Sequence, residues 1–218
     1  MALAHRTRRG RQAEAERNDR RVLDAAREIF AARGADATVA AIAERAGVGM
    51  GTLYRRYGSK ADLLRHLCMQ AMEQSIEAAQ TALAATDTWA GLTGYVRTCV
   101  AQGSGALAPL AGSVQPTPQM WKTSRHGRHL LEQLVSQASH QGTVRPDITA
   151  LDIAWLIEFF GRYGPAAPHT DEHAIRQRLL TIALDGLRNR DADPIPGPPP
   201  SAQHYEQRWK PRSRACAK

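Results

Sequence analysis

Proline placement constrains this chain more than any other feature. None of the 12 prolines occurs before Pro109, and six crowd into residues 194–211. Proline fixes φ and removes a backbone donor, so it interrupts helices and central strands alike. The first half is therefore free to hold helices broken only at glycine, and the end, residues 191–218, is expected to be a Pro-rich disordered tail. No strand-like alternation of Val, Ile, Thr and aromatics persists, whereas 3.6-residue apolar spacing recurs throughout. The expectation is an all-α protein of about nine helices, and no internal repeat interrupts that reading.

Val22, Ala26, Ile29 and Phe30 form one stripe of a first helix over about 19–33, with Gly34 beyond its end. Thr38 caps a second, short helix whose inner face is Val39, Ile42, Ala43 and Ala46. Gly47-Val48 makes a tight turn into a third helix over about 49–56, packed through Val48 and Leu53. Ser59 and Asp62 read as a capping box opening a long fourth helix through Leu63, Leu64, Leu67, Ala71 and Ile76. Further helices are predicted from Asp87 or Thr88, briefly near 104–112, from Thr117-Pro118 to Gly142, from Thr149 to about 163, and from Thr170 to about 190.

Charge follows this organisation. The chain has 29 Lys+Arg, 21 Asp+Glu and a formal net charge of +8. Residues 1–66 hold +6, residues 67–190 are neutral, and residues 191–218 hold +2. The total alone does not separate a nucleic-acid partner from a membrane surface, and with 25 Arg against 4 Lys it carries a compositional skew. Its location fits a small nucleic-acid module joined to a neutral body. The division read from the sequence is a flexible basic arm over 1–18, a DNA-binding head over 19–66, a helical body over 67–190, and the tail.

Several classes are excluded. Cys68, Cys99 and Cys216 are far apart and form no CxxC pair, which argues against a disulfide framework or structural zinc and for a reducing cytoplasm. The start, residues 1–12, has no apolar core of a secretory signal. The most apolar run, residues 153–160, is short and interrupted by Glu158, so no membrane partner is expected. There is no nucleophile elbow, HExxH, Walker loop or GxGxxG, and Gly103-Ser104-Gly105 reads only as a turn. His126 and His129 share a helix face, as do His169 and His173, but no cysteine or carboxylate cluster completes a metal set. Neither a metal nor a cofactor is expected.

Two short helices joined by Ala46-Gly47-Val48 match a helix-turn-helix, although a purely structural helical hairpin has the same pattern. Such a unit lays its second helix in the major groove while the first crosses the phosphate backbone. The longer string from Thr38 to Lys60, TVAAIAERAGVGMGTLYRRYGSK, resembles the DNA-binding signature of the TetR family of transcriptional regulators. The resemblance is strong over residues 19–67. Over 68–190 it extends only to helix number and length and to a family-like last helix around 179–188.

The resemblance implies roles for particular residues. Thr38 matches a phosphate-contacting cap, Thr52 and Tyr54 match positions that meet phosphates and base edges, and Lys60 matches a phosphate anchor at a helix N-terminus. Leu53 and Tyr57 match packing positions. Relatives commonly carry polar residues where Ala40, Gly49, Met50 and Gly51 stand, so few groups remain to read bases. Thr52 and Arg55 are the candidates, with Arg able to grip guanine, Met50 to touch a thymine methyl, and Arg56 to sit on phosphate.

For the body, the resemblance implies a homodimer formed by the last two long helices, a palindromic operator, and a small-molecule effector whose binding releases DNA. Trp89, Tyr95, Cys99, Met120, Trp121, His126, Phe159 and Tyr163 are the aromatic and soft residues available to line its pocket, with ordinary core the leading alternative for any one of them. The neutral body favours a neutral or amphipathic effector. A repressor is the leading reading. A non-specific architectural DNA binder and a small helical enzyme stand as alternatives.

Overall fold

The computed structural model describes residues 2–162, 171–190 and 193–210. Among the described residues there are nine α-helices and no strand. They are α1 (Ala2–Arg33), α2 (Val39–Ala46), α3 (Met50–Tyr57), α4 (Lys60–Leu83), α5 (Thr88–Ala101), α6 (Pro118–His140), α7 (Ala150–Gly161), α8 (Asp171–Asp185) and α9 (Ala202–Trp209). No described helix is long and apolar enough to cross a membrane.

Caps fix most of the starts. Thr38, Asp87, Thr117 and Thr149 accept the backbone N–H three residues ahead, and at Thr149 the Asp152 carboxylate completes a reciprocal capping box. Ser59 accepts the Asp62 N–H at 3.1 Å and donates its hydroxyl to the Asp62 carboxylate at 2.6 Å. The reciprocal bond expected of a capping box therefore runs to the hydroxyl, not to the Ser59 backbone.

Two apolar cores divide the molecule. The head core joins Val22, Ala26 and Phe30 of α1 to Ile42 of α2, Leu53 of α3 and Leu63, Leu64 and Leu67 of α4. The body core gathers Leu92, Val96 and Cys99 of α5, Leu131, Leu134 and Val135 of α6, Ile153 and Ile157 of α7, and Leu180 and Leu184 of α8. Helix α4 belongs to both, packing its first turns in the head and its last turns against α5 and α6. The end of α8 is sewn to the α6–α7 connection by Arg145 N–H donating to Leu187 at 3.1 Å and Asn189 N–H donating to Thr143 at 3.2 Å.

Three expectations are corrected. The first helix begins at Ala2, so residues 2–18, expected to be a flexible arm, are helical. That stretch has no apolar stripe to reveal a helix, but Ala, Arg, Glu and Gln dominate it and carry high intrinsic propensity. Residues 104–112 form turns and a short 3₁₀ segment, Ala108–Leu110, in place of a helix. The tail, expected to be disordered, carries α9, opened by Ser201 accepting the His204 N–H at 3.1 Å just after the proline run over 194–200.

Candidate nucleic-acid interface and the cavity behind it

The head builds a helix-turn-helix from residues that have little choice. Gly47 ends α2 at φ 65, in the left-handed region that side-chain-bearing residues avoid, and its N–H donates to Glu44 at 3.1 Å. Val48 N–H donates to Ala43 at 3.0 Å, closing the turn. Ile42, Ala43, Ala46 and Leu53 are buried where α2 and α3 cross. Tyr57 packs edge-on against His66 with ring centroids 5.5 Å apart, and burial pushes its phenol pKa up. Leu53 and Tyr57 thus take the packing roles expected of them.

The opposite face of α3 is open. Met50 is 45% exposed and Tyr54 47% exposed, beside exposed Thr52, Arg55 and Arg56. Two of these residues share the helix but not the same freedom. Arg56 is paired with Asp19 of α1 in a short charge-assisted contact, while Arg55 has no hydrogen bond or ion pair among the described residues. Thr38 spends its hydroxyl capping α2 through Ala41 N–H at 3.2 Å. Lys60, at the start of α4, donates to the Ala35 carbonyl at 2.6 Å and lies 6.0 Å from the Phe30 ring centre. Arg45–Glu28 at 2.8 Å, together with Arg56–Asp19, braces the two helices against α1.

Behind the head, a cavity of about 210 Å³ lies between α4, α5, α6 and α7, with α9 laid across it. Its wall is mostly apolar. Tyr95, Met120 and Trp121 line it, as the sequence suggested. Trp89 does not; its ring stacks under the Arg188 guanidinium at 4.3 Å. Cys99 is buried one layer out, its Sγ 3.7 Å from Ser75 Oγ. His126 is exposed and Phe159 is 62% exposed, so neither reaches the cavity. Tyr163 lies outside the described residues, as does His169.

The sequence reading missed Cys68, Met72 and Ser75 of α4, Arg128 of α6, Glu158 of α7, and Tyr205, Glu206 and Trp209 of α9. Burial lifts the Cys68 thiol to about 12 and also raises the Tyr95 phenol, which shares a 3.0 Å hydrogen bond with Ser75. Both groups are neutral near pH 7. Glu158 is the buried carboxyl group of the wall, 6% exposed and gripped by Arg208 of α9 through two bonds of 3.0 and 2.6 Å. The interruption that argued against a membrane span is therefore a buried carboxylate at the cavity edge. Gly105 sits flush on the same turn of α7, where a Cβ would come within 2.3 Å of the Glu158 carbonyl oxygen. No group of three or more metal-ligating side chains occurs among the described residues.

These features define a DNA-binding regulator with a helix-turn-helix head and a hollow helical body. Residues 22–67 match the family model described as bacterial regulatory proteins, tetR family, and residues 87–189 match that described as the SbtR-like transcriptional regulator C-terminal domain. The chain belongs to the TetR family of transcriptional regulators. The HTH-type transcriptional regulator SrpR of Pseudomonas putida is 44% identical over 54 residues, which cover 24% of this chain and 25% of that protein. The match to that curated relative thus spans only a quarter of its length.

Solved structures align more fully. A TetR transcriptional regulator from Streptomyces coelicolor is 26% identical, over 79% of this chain and 98% of that one, with a TM-score of 0.56. A TetR regulatory protein from Mycobacterium vanbaalenii is 27% identical, over 81% and 98%, also with a TM-score of 0.56.

Proposed function

We propose that this protein is a ligand-responsive repressor that binds a palindromic operator as a homodimer and is released by a small molecule held in the cavity. One observation carries the ligand response. Cys68, Leu107 and Met120 belong at once to the head core and to the cavity wall. A molecule entering the cavity must push on side chains that also set the seat of α4 under the helix-turn-helix. Close-packed cores transmit such displacement rather than absorb it.

On DNA, α3 enters the major groove. Arg55 is the free guanidinium of that face and reads a base edge, with Thr52, Tyr54 and Met50 beside it. Arg56, held by Asp19, faces phosphate. Lys60 anchors a phosphate by exchanging the Ala35 carbonyl for it, next to the Thr38 cap. A helical N-terminus is too wide to thread the roughly 6 Å minor groove, so residues 2–18 contribute charge along the backbone instead.

The homodimer is supported by an apolar stripe that the other described residues leave exposed. Ile175, Leu179 and Ile182 of α8 are 58%, 51% and 58% exposed, spaced along one face, and Phe159 of α7 is exposed in the same pair of helices. A stripe of that size on a monomer marks an interface. A cytoplasmic setting follows from DNA as partner and from two buried thiols.

The test is a nuclease footprint on the DNA flanking the protein's own gene, repeated with candidate effectors. One protected palindrome, lost on effector addition, is the expected result. Uniform protection of all DNA would instead mark an architectural binder.

A further inference from the structure

Helix α9 carries no fully buried side chain, and it reaches the cavity through a run containing Pro194, Pro196, Pro198, Pro199 and Pro200. A helix so attached is held by a few specific contacts rather than by a core. The strongest is Arg208, whose guanidinium makes two bonds to Glu158 and lies 4.2 Å above the Trp155 ring. His204 and Tyr205 pack on the same indole, with centroids 6.2 and 6.1 Å away. A second pair joins Arg128 to Glu206 at 2.9 Å.

The two pairs differ in what they leave behind if α9 departs. Arg128 keeps Glu132 at 3.8 Å and its side chain is 27% exposed, so it stays satisfied by its own helix and by water. The Glu158 side chain is 7% exposed, and its carboxylate has no hydrogen-bond partner other than Arg208 among the described residues. A buried carboxylate stripped of its cation is strongly penalised. A displacing molecule that brings a positive charge to Glu158 avoids that penalty, and the apolar wall suits a hydrocarbon body behind the charge.

We propose that Glu158, which lines the cavity, and Trp155, which flanks it outside the lining, form a cation subsite at the cavity edge, that Arg208 is its internal occupant, and that the effector is an amphipathic monocation which replaces Arg208 and lifts α9 away. The proposal rests on the reading of the cavity as the effector site and adds the chemistry of what enters it. A carboxylate paired with an indole face is a pairing that recognises organic cations well. Competition from the tethered helix sets the threshold for response, because an occupied site weakens apparent affinity by the fraction of time it is filled.

The test uses three probes of equal chain length, octylguanidinium, octanol and octanoate, titrated calorimetrically into the full-length protein. Tryptophan fluorescence reports on all four tryptophans, of which Trp121 and Trp209 line the cavity and Trp155 lies under Arg208. The parent is expected to bind octylguanidinium in preference to both others. Arg208→Ala removes the competitor and should tighten octylguanidinium binding by about tenfold. Glu158→Gln preserves side-chain volume and should lower the preference for octylguanidinium over octanol by at least about tenfold.

Equal binding of octanol and octylguanidinium in parent and Glu158→Gln alike would overturn the cation subsite while leaving the cavity an effector site. Preference for octanoate would overturn it in favour of Arg128 as the charged contact. Failure of all three probes to bind either the parent or Arg208→Ala would overturn the effector-site reading itself, and the cation subsite with it.

Discussion

The head and the body are both small helices around an apolar core, yet they expose function differently. In the head, the working side chains lie on one face of an eight-residue helix whose other face is pinned by Leu53. Sequence spacing alone decides which residues point outward. In the body, the cavity is walled by residues from five helices and the 104–116 connection, so its lining depends on how distant segments approach. Local geometry writes a helix-turn-helix surface into a short string, whereas the cavity exists only after the tertiary fold has formed.

Five variants break or sharpen this contrast. The largest effect is expected from Phe30→Ala, because Phe30 is fully buried at the centre of the head core. The loss is about 3–5 kcal/mol, and denaturant melts should show the head unfolding before a body that keeps its helical signal. If the two cores melt together, the wall shared through Cys68, Leu107 and Met120 couples them more tightly than separate cores would.

Next is the double change Leu179→Glu with Ile182→Glu on α8. Both residues are about half exposed in the single chain, so folding should survive while sedimentation reports monomers. Operator affinity should fall by about a hundredfold or more as the second head is lost. Within the head, Arg55→Ala should cost about 1–3 kcal/mol and relax preference at one base position. Lys60→Ala should weaken all sequences and reduce the salt slope by about one. Equal behaviour of the two variants would undo the assignment of one to bases and the other to phosphate.

The smallest effect concerns the root of the tail. Asp147 is held at about 2, below its ordinary value, first by hydrogen bonding from Arg145 and then by the Ile195 N–H. Arg145 also donates to the Asp193 carbonyl at 2.7 Å, so this pair fastens the segment that leads to α9. A depressed carboxylate gives its stability above the unfolded value near 4 and loses it as pH falls toward 2. Proteolysis of the tail should therefore rise slightly across that acid window in the parent. Asp147→Asn should show the higher rate already at neutral pH.

The reach of sequence reading follows the same divide. The helix-turn-helix was legible because Thr38, Gly47 and Leu53 each answer to a local demand: a cap, a left-handed φ, a buried face. Tyr95, Met120 and Trp121 were legible only as soft and aromatic candidates, and Trp89, Cys99, His126 and Phe159 looked no different from them. What separates the groups is long-range packing, such as Arg188 over Trp89 or Ser75 beside Cys99.

Helix α9 was hidden by the prolines in front of it, although Ser201 as a cap and Tyr205, Arg208 and Trp209 one turn apart were signals to be had. The buried pairing of Glu158 could not be seen at all without the helix that carries Arg208.

A head of this kind is expected to recognise one DNA sequence rather than DNA in general. The direct measurement is the ratio of affinities for the footprinted palindrome and for a scrambled duplex of equal length, taken across a salt series. A ratio of about a thousandfold or more, persisting as salt rises, is the predicted result. A ratio near one at every salt concentration would contradict the account, leaving the +6 of the head as mere attraction to phosphate.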